Sequence, residues 1–263
     1  MELQYYQVNA FTTKFSGGNP AGVCPLPDWL PDKLMQAVAR ENDLSETAFF
    51  VKNGNEFDLR WFTPSVEVDL CGHATLASAH VLFHEMNHAA EEIVFNTRSG
   101  ALIVGKHGND YVMEMPVIKA NTTSVPDNLI NGLGRRPGEA YQADDYLLVY
   151  DDEVFIAELE PDFSLIQDIE RRGTIVTAPS SEEGVDFVSR FFGSAAVGID
   201  EDPATGSAHC MLTPYWSKRL SKAELVAKQL SSRGADFKCQ LADNKVFISG
   251  QAVTYIKGNL YID

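Results

Sequence analysis

The run GIDEDPATGSAHC places a carboxylate, Asp202, just before a turn and the expected start of a helix. Pro203 favours an extended conformation at Asp202 and ends a strand, while Gly206 and Ser207 are suited to open a helix. Amide groups at a helix N-terminus carry partial positive charge and can hold an anion without lysine or arginine. The run therefore predicts an anion-binding turn. The alternative is that Asp202 or Thr205 only caps the helix.

A second run, DLCGHATLASAH, repeats this arrangement with His73 directly after Gly72. A helix N-terminus disfavours the charged form of histidine, which predicts a neutral imidazole at this position. A neutral imidazole can accept or relay a proton. His73 is therefore a candidate for proton transfer, and a purely structural histidine is the alternative.

Glu46 lies in the run ENDLSETAFF, where it enters an expected strand with apolar neighbours. A glutamate that faces inward among phenylalanines is suited to general acid–base chemistry. An ordinary strand residue that faces solvent is the alternative. Glu46 is thus the third candidate for moving a proton.

The glycine-rich run FSGGNPAGV lacks the Walker lysine and the G-x-G-x-x-G spacing of nucleotide-binding loops. It predicts a tight turn that lets the backbone approach a ligand. A simple connection between two strands fits the same pattern.

Three histidines, His80, His84 and His88, recur every four residues and would share one helix face. Neither an H-E-x-x-H motif nor a carboxylate accompanies them on that face. We predict a polar outer face and no metal.

Strand-like runs dominate the rest of the chain, with hairpins expected around KHGND and YDDEV. The runs PDKLMQAVAREN and DFSLIQDIERRG predict amphipathic helices. Two further helices, at 72–86 and 206–220, begin with small residues and are apolar on nearly every side. That pattern is typical of helices enclosed by other elements.

Both enclosed helices follow an aromatic strand, an acidic strand end and a glycine-containing turn, and both contain the tripeptide SAH. A duplicated unit explains this economically, and chance similarity between two alanine-rich helices is the alternative. Duplication predicts two halves, each a curved sheet around one central helix, with the helix N-termini facing each other across a cleft. The polar segment NTTSVPDN, residues 121–128, is the expected linker.

The composition is that of a globular protein and excludes several classes of partner. The 263 residues are 44% hydrophobic and carry a formal net charge of -16, which repels nucleic acid and anionic membranes. Four separated cysteines without C-x-x-C or metal-type spacing predict reduced thiols. The acidic N-terminus and the lack of any apolar stretch of roughly 18 residues predict a cytoplasmic protein with no membrane partner.

Several blocks together resemble the phenazine-biosynthesis PhzF-like family, within the diaminopimelate-epimerase-like superfamily. These blocks are FSGGNPAGV, LSETAFF, DLCGHATLASAH, NTRSG and DEDPATGSAHC, and the resemblance continues to the C-terminal FISGQAVTYIKGNLYI. It implies an α+β fold of two similar domains, each a curved, mostly antiparallel sheet rolled around a central helix. The domains would comprise residues 1–118 plus about 253–263, and residues 119–252.

The same resemblance implies a cofactor-independent isomerase, without a metal, that moves a proton on a small carboxylate at a site between the domains. It assigns Glu46 as the main acid and base, with His73 and Asp202 orienting the substrate and assisting the transfer. Amides at the two helix starts would stabilise developing negative charge. The implied substrate-binding residues are Asn19, Gly22, Gly72, Ala74, Thr205, Gly206 and Ser207.

Two alternatives to this function stay open. A racemase or epimerase that uses Cys71 would need a second thiol, but Thr205 occupies the matching place and Cys210 lies one turn further on. A non-catalytic metabolite-binding protein would not need the acid–base residues. In each case the expected partner is a small-molecule carboxylate, and exposed strand edges favour a homodimer.

Overall fold

The computed structural model describes residues 1–196 and 198–262, and the chain divides into two compact units. The first unit comprises Met1–Glu114 with Ile248–Asp263, and the second comprises Met115–Phe247. The domain boundaries expected from the sequence, 1–118 plus about 253–263 and 119–252, stay a prediction. Asp263, the last residue of the expected first domain, lies outside the described residues.

The first unit is built mainly from strands. Its strands are β1 (Glu2–Ala10), β2 (Asn19–Leu26), β3 (Glu46–Asn53), β4 (Glu56–Phe62), β5 (Glu67–Val68), β6 (Glu92–Thr97), β7 (Gly100–His107), β8 (Asp110–Pro116) and the C-terminal Ala252–Tyr261; its helices are α1 (Asp32–Asn42) and α2 (Gly72–His80). β1 lies between β2 and the C-terminal strand, antiparallel to both. The ladder then runs parallel from β2 to β3, antiparallel to β4, parallel to β6 and antiparallel to β7.

Helix α2 is the central helix of the first unit. All nine of its residues are buried, and it packs against β1, β2, β3 and the C-terminal strand. Its small residues allow this close enclosure, as the absence of a polar face in the sequence predicts. Helix α1 covers the other side of the sheet, where Met35, Val38 and Ala39 join an apolar cluster with residues of β1 to β4.

The second unit contains the remaining elements. Its strands are β9 (Asn121–Thr122), β10 (Glu139–Gln142), β11 (Tyr146–Val149), β12 (Gly173–Pro179), β13 (Phe187–Gly193), β14 (Glu201–Asp202), β15 (Glu224–Gln229) and β16 (Ala235–Ala242); its helices are α3 (Asp127–Leu133), α4 (Glu153–Glu158), α5 (Phe163–Ile166) and α6 (His209–Leu220). Strand β17 (Lys245–Gly250) begins in the second unit and ends in the first, and β8 ends two residues beyond the first unit. The C-terminal strand Ala252–Tyr261 is β18.

The second unit repeats the strand succession of the first. From β10 the ladder runs antiparallel to β11, parallel to β12, antiparallel to β13, parallel to β15 and antiparallel to β16. The two-residue strand β14 pairs with β13 just before α6, as β5 pairs with β4 just before α2. This repetition is the topology that a duplicated unit requires.

Helix α6 is enclosed in the second unit. Trp216 donates a hydrogen bond from its indole nitrogen to Thr177 of β12 (3.0 Å) and stacks on Phe187 of β13. Helices α3, α4 and α5 contribute to a separate apolar cluster on the sheet. Each unit therefore has the architecture of a sheet around a central helix with outer helices.

Several local expectations are wrong. The central helix of the first unit is α-helical only to His80, and Val81–Glu85 continue as a π-helical turn. Residues 206–208 form a turn, and the regular helix begins at His209. The run YDDEV forms no hairpin, because the Asp152 side chain accepts hydrogen bonds from two amides and caps α4.

Two further expectations need correction. The expected linker 121–128 lies inside the second unit, where it contains β9 and the start of α3. His80 is buried and contacts the hydroxyl groups of Tyr111 and Thr254, so the expected polar outer face is wrong at His80, whereas His84 is exposed and His88 is partly exposed. Within residues 1–196 and 198–262, no helix combines the length and apolar character needed to span a membrane.

Candidate active site

Glu46 and His73 form the centre of the polar group in the first unit. Glu46 is the first residue of β3, and His73 is the second residue of α2. Oε2 of Glu46 lies 3.2 Å from Nε2 of His73. The histidine side chain is 6% exposed and the glutamate side chain 17%, so Glu46 faces largely inward and keeps limited access to solvent.

Asn19 holds the other side of the His73 ring. It is the first residue of β2, is fully buried, and its Nδ2 lies 3.1 Å from Nδ1 of His73. In the neutral ring the Asn19 NH2 group donates to Nδ1 and the ring proton lies on Nε2. In the charged ring Nδ1 also carries a proton, which the Asn19 amide oxygen accepts once the amide is turned end for end. The Nε2–H group then donates to the Glu46 carboxylate.

Electrostatics favour the charged form of His73. Burial alone lowers the pKa of this imidazole, but the Glu46 carboxylate in contact with Nε2 raises its pKa above the usual value. The expectation of an imidazole kept neutral by the helix end is therefore wrong in direction. A carboxylate in direct contact outweighs the partial charge of a helix terminus.

Cys71 adjoins the same group at the N-cap of α2. Its Sγ atom lies 3.5 Å from Nδ1 and 4.0 Å from Nε2 of His73. Burial raises the pKa of this thiol to about 11. Cys71 is therefore a neutral thiol at physiological pH. The candidate ligand atoms of Glu46, Cys71 and His73 lie within 4.8 Å of one another, so these three residues could hold a metal ion.

Gly22 faces the strand that carries Glu46. It pairs with Thr47 of β3, and a Cβ atom at Gly22 would lie 2.9 Å from Thr47 Oγ1 and 3.1 Å from the Tyr5 ring. The missing side chain thus permits the close packing of β2 beside β3. Gly72 and Ala74 flank His73 in the first turn of α2, and both are buried.

Asp202 and Thr205 form one braced turn in the second unit. The Thr205 hydroxyl donates to Oδ2 of Asp202 at 2.5 Å. Gln229 of β15 accepts from the Thr205 amide at 2.8 Å and donates to the Asp202 carbonyl at 2.6 Å. The amide and hydroxyl of Thr205 therefore stabilise the turn itself.

Sequence reasoning missed Arg172, which precedes β12. Its guanidinium group makes two hydrogen bonds to Asp145, at 3.0 and 2.5 Å, and donates to Oγ of Ser207 at 2.9 Å. The side chain lies over the Phe191 ring and is 39% exposed, although Asp145 is buried. The run ERRG is typical of a charged, solvated segment, so the sequence does not single out Arg172 as a functional residue.

Comparisons with known proteins identify the family. The family model described as phenazine biosynthesis-like protein (PhzC-PhzF) matches residues 8–258. The chain belongs to this family. A Pseudomonas aeruginosa protein named as an uncharacterized isomerase is 48% identical over 262 residues, covering 100% of both chains. A protein of the same description from Halalkalibacterium halodurans is 47% identical over 266 residues, again covering 100% of both.

Solved structures agree on the fold of this PhzF-family chain. A PhzF-family protein from Enterococcus faecalis shares 44% identity and a TM-score of 0.95, with 100% of each chain covered. A hydroxyproline epimerase from Agrobacterium vitis, at 9% identity, matches with a TM-score of 0.63 over 98% of this chain and 92% of its own. The fold is therefore α+β and related to that of the epimerases, and the names of the relatives support an isomerase-type activity.

In this PhzF-family chain, the predicted site residues fall into two groups. Asn19, Gly22, Glu46, Gly72, His73 and Ala74 belong to the first unit, and Asp202, Thr205, Gly206 and Ser207 belong to the second. Direct contacts join Asn19, His73 and Glu46 in one group and Asp202 and Thr205 in the other. Cys71 and Arg172 extend these groups beyond the predicted set.

Proposed function

We propose that the chain is a cofactor-independent isomerase that moves a proton between two positions of a small carboxylate-bearing metabolite, with Glu46 as the proton carrier. The observation that carries this proposal is the 3.2 Å contact between Glu46 and His73. A partly exposed carboxylate held by a buried imidazole has a fixed orientation, as efficient proton transfer requires. The isomerase names of the family relatives agree with this class of reaction.

The proposed reaction uses one base. The Glu46 carboxylate removes a proton from a carbon conjugated with the substrate carboxyl group, and the electron pair delocalises toward the carboxyl oxygens. The protonated Glu46, which is partly exposed and exchanges its proton with solvent, then delivers a proton at the other end of the conjugated system. Since the same group takes and gives a proton, no cofactor is needed to balance the step.

His73 supports both halves of this cycle. Its Nε2–H group donates to Glu46 and orients that side chain, and Asn19 on Nδ1 keeps the ring oriented. This support fixes the direction from which Glu46 accepts a proton.

Arg172 supports a substrate that carries a carboxylate. In a protein of net charge -16, an anion needs a local cation, and this guanidinium group is partly exposed beside Ser207. Asp145 fixes its plane through two hydrogen bonds, so little side-chain entropy is lost on binding. We assign Arg172 and Ser207 to carboxylate recognition.

Solvent exchange at carbon tests the proposal. A panel of small unsaturated carboxylates is incubated with enzyme in D2O, and deuterium incorporation is followed by NMR. Glu46→Gln removes the titratable group, and we expect the rate to fall by about 10² to 10⁴. The control is Glu41→Gln at an exposed helical glutamate, which should keep the wild-type rate. Wild-type exchange in Glu46→Gln would contradict the assignment.

A cysteine-dependent racemase is a second candidate because Cys71 Sγ lies 3.5 Å from His73. Its raised pKa, to about 11, disfavours the thiolate that this mechanism requires. Racemisation of α-amino acids by the wild type, abolished in Cys71→Ala, would favour this candidate. Binding of carboxylates without any turnover would instead indicate a metabolite-binding protein.

A further inference from the structure

Three side chains of different chemistry converge in the first unit. Glu46 offers a carboxylate oxygen, Cys71 a sulfur and His73 a ring nitrogen, and these atoms lie within 4.8 Å of one another. Zn²⁺ takes these three ligand types, and sites with three protein ligands leave a fourth position open. We refer to these residues as the Glu46–Cys71–His73 cluster.

One edge of the cluster matches tetrahedral coordination, and a second is longer than it. Ordinary zinc bond lengths give edges of about 3.3 Å between oxygen and nitrogen and about 3.5 Å between sulfur and nitrogen. The corresponding distances are 3.2 Å from Glu46 Oε2 to His73 Nε2 and 4.0 Å from Cys71 Sγ to the same nitrogen. Sγ lies nearer Nδ1, at 3.5 Å, than Nε2, so coordination at Nε2 requires the Cys71 side chain to turn to another rotamer.

Surroundings of the cluster also suit a metal ion. The Asn19 amide contacts Nδ1 of His73, the position where a second residue commonly orients a metal-bound histidine. Turning that amide end for end presents its oxygen to an Nδ1–H group. One thiolate, one carboxylate and one neutral imidazole balance the two charges of Zn²⁺, which limits the cost of burying the ion.

We propose that the Glu46–Cys71–His73 cluster is an inhibitory Zn²⁺ site. Binding displaces the thiol proton of Cys71 and the Nε2 proton of His73 to solvent and forms Zn–S, Zn–N and Zn–O bonds, with water in the fourth position. The thiolate selects Zn²⁺ over Mg²⁺ and Ca²⁺, which prefer oxygen ligands. Inhibition rests on the proposed function, because a carboxylate bound to Zn²⁺ is too weak a base to take a proton from carbon.

Metal binding is measured without substrate. Chelator-treated, reduced full-length protein is titrated with Zn²⁺ by calorimetry, and Co²⁺ serves as a spectroscopic probe of thiolate coordination. We expect one equivalent to bind, with a thiolate-to-cobalt charge-transfer band that Zn²⁺ abolishes. Excess Mg²⁺ should not compete.

Matched variants locate the ion. Cys71→Ala and Glu46→Gln should each weaken Zn²⁺ binding at least about tenfold, and Cys71→Ala should lose the charge-transfer band. Cys210→Ala changes another buried thiol, in the second unit, and should bind Zn²⁺ as the wild type does. Circular dichroism confirms that each variant is folded. Equal Zn²⁺ affinity in wild type and Cys71→Ala, or the absence of micromolar binding, would overturn the site.

Activity measurements separate this inference from the proposed function. Reversible loss of deuterium exchange on adding Zn²⁺, restored by chelator, is the expected result. If Zn²⁺ binds at the cluster and the rate of deuterium exchange does not change, the inhibitory role is wrong. The role of Glu46 as proton carrier is then decided by Glu46→Gln alone. A chain without any turnover that still binds Zn²⁺ through Cys71 would refute the isomerase proposal and retain the metal site.

Discussion

The Glu46–His73 contact joins two different elements, since one side chain begins β3 and the other lies in the first turn of α2. Both backbones are held by the sheet and the enclosed helix, so neither side chain depends on a loop for its position. Burial of the imidazole strengthens its interaction with the carboxylate, because little water competes for it. This contact therefore has the rigidity that acid–base chemistry requires.

Asp202 carries a charge and also accepts a hydrogen bond from Thr205, and a conservative substitution separates these two properties. Asp202→Asn keeps an oxygen that can accept the Thr205 hydroxyl, so we expect stability to change by no more than about 1 kcal/mol. It removes the charge, and the exchange rate should fall at least about tenfold if Asp202 takes part in the reaction. Kinetics in D2O and urea denaturation measure the two effects separately.

The control for Asp202 is Asp236→Asn, an exposed aspartate of β16. It removes the same charge from the chain, so it reports any effect of net charge alone. Equal activity in Asp202→Asn and Asp236→Asn would exclude a role for Asp202 in the reaction.

Residue types explain which parts of the candidate site the sequence could predict. Glu46, His73 and Asp202 are chemically conspicuous in short distinctive runs. Arg172 is not, because its contact with Ser207 links residues 35 positions apart and forms only when the chain folds. The ionisation of His73 was mispredicted for the same reason: the deciding carboxylate lies in another element.

At the level of elements, helix α6 shows how a polar turn is joined to an apolar core. His209 is the first residue of this helix and is fully buried. Its Nδ1 lies 3.0 Å from the Thr205 carbonyl oxygen, and its ring stacks on Phe237. Burial lowers the pKa of this histidine to about 4. The native helix therefore keeps His209 neutral at a pH where the unfolded chain takes up a proton.

This shift predicts a pH-dependent stability. The unfolded histidine titrates near 6.5, so protons bind the unfolded chain preferentially between about pH 6.5 and 4. The free energy of unfolding should fall across this window, and the contribution of His209 should reach about 2.5 kcal/mol by pH 4.5. His209→Asn keeps a donor for the Thr205 carbonyl but does not titrate, so its stability relative to wild type should improve by that amount on acidification.

Urea denaturation at pH 7.5 and 4.5 provides the measurement. His107→Asn, at an exposed histidine of β7, is the matched control and should follow the wild type at both pH values. A constant difference between His209→Asn and wild type at the two pH values would contradict the buried neutral state.

Element boundaries were harder to predict than element types. Apolar composition predicts an enclosed helix at 72–86, but it does not distinguish an α-helix from the π-helical turn at Val81–Glu85. Likewise, YDDEV has the composition of a turn, and only the two amides bonded to Asp152 decide in favour of α4. The hairpin at KHGND was predictable, because Gly108 adopts the positive φ that its tight turn requires.

On the scale of the whole molecule, the repeated strand succession explains why the two-part organisation was visible in the sequence. Each repeat needs an acidic strand end, a turn and a small-residue helix, and these local patterns survive in both halves. No local sequence pattern predicts that β18 pairs with β1. This strand returns to β1 from the other end of the chain, with Glu2 opposite Tyr261 and Ala10 opposite Ala252.

The first unit should therefore depend on the C-terminus of the chain. Strand β18 pairs with β1 along its whole length, and Leu260 and Ile262 pack on the apolar cluster that contains Leu3 and Tyr5. Ending the chain after Gln251 removes these contacts, and we expect a loss of roughly 3 kcal/mol or more of unfolding free energy. Hydrogen exchange should show unprotected amides in β1.

Complementation in trans distinguishes strand loss from general damage to the truncated chain. A synthetic peptide of residues 252–263 supplies the missing ladder and the two apolar side chains, so it should restore protection of the β1 amides at saturating concentration. A scrambled peptide of the same composition lacks the alternation that matches the β1 register and should have no effect. Full protection of β1 in the truncated chain without peptide would show that the first unit is stable without its C-terminal strand.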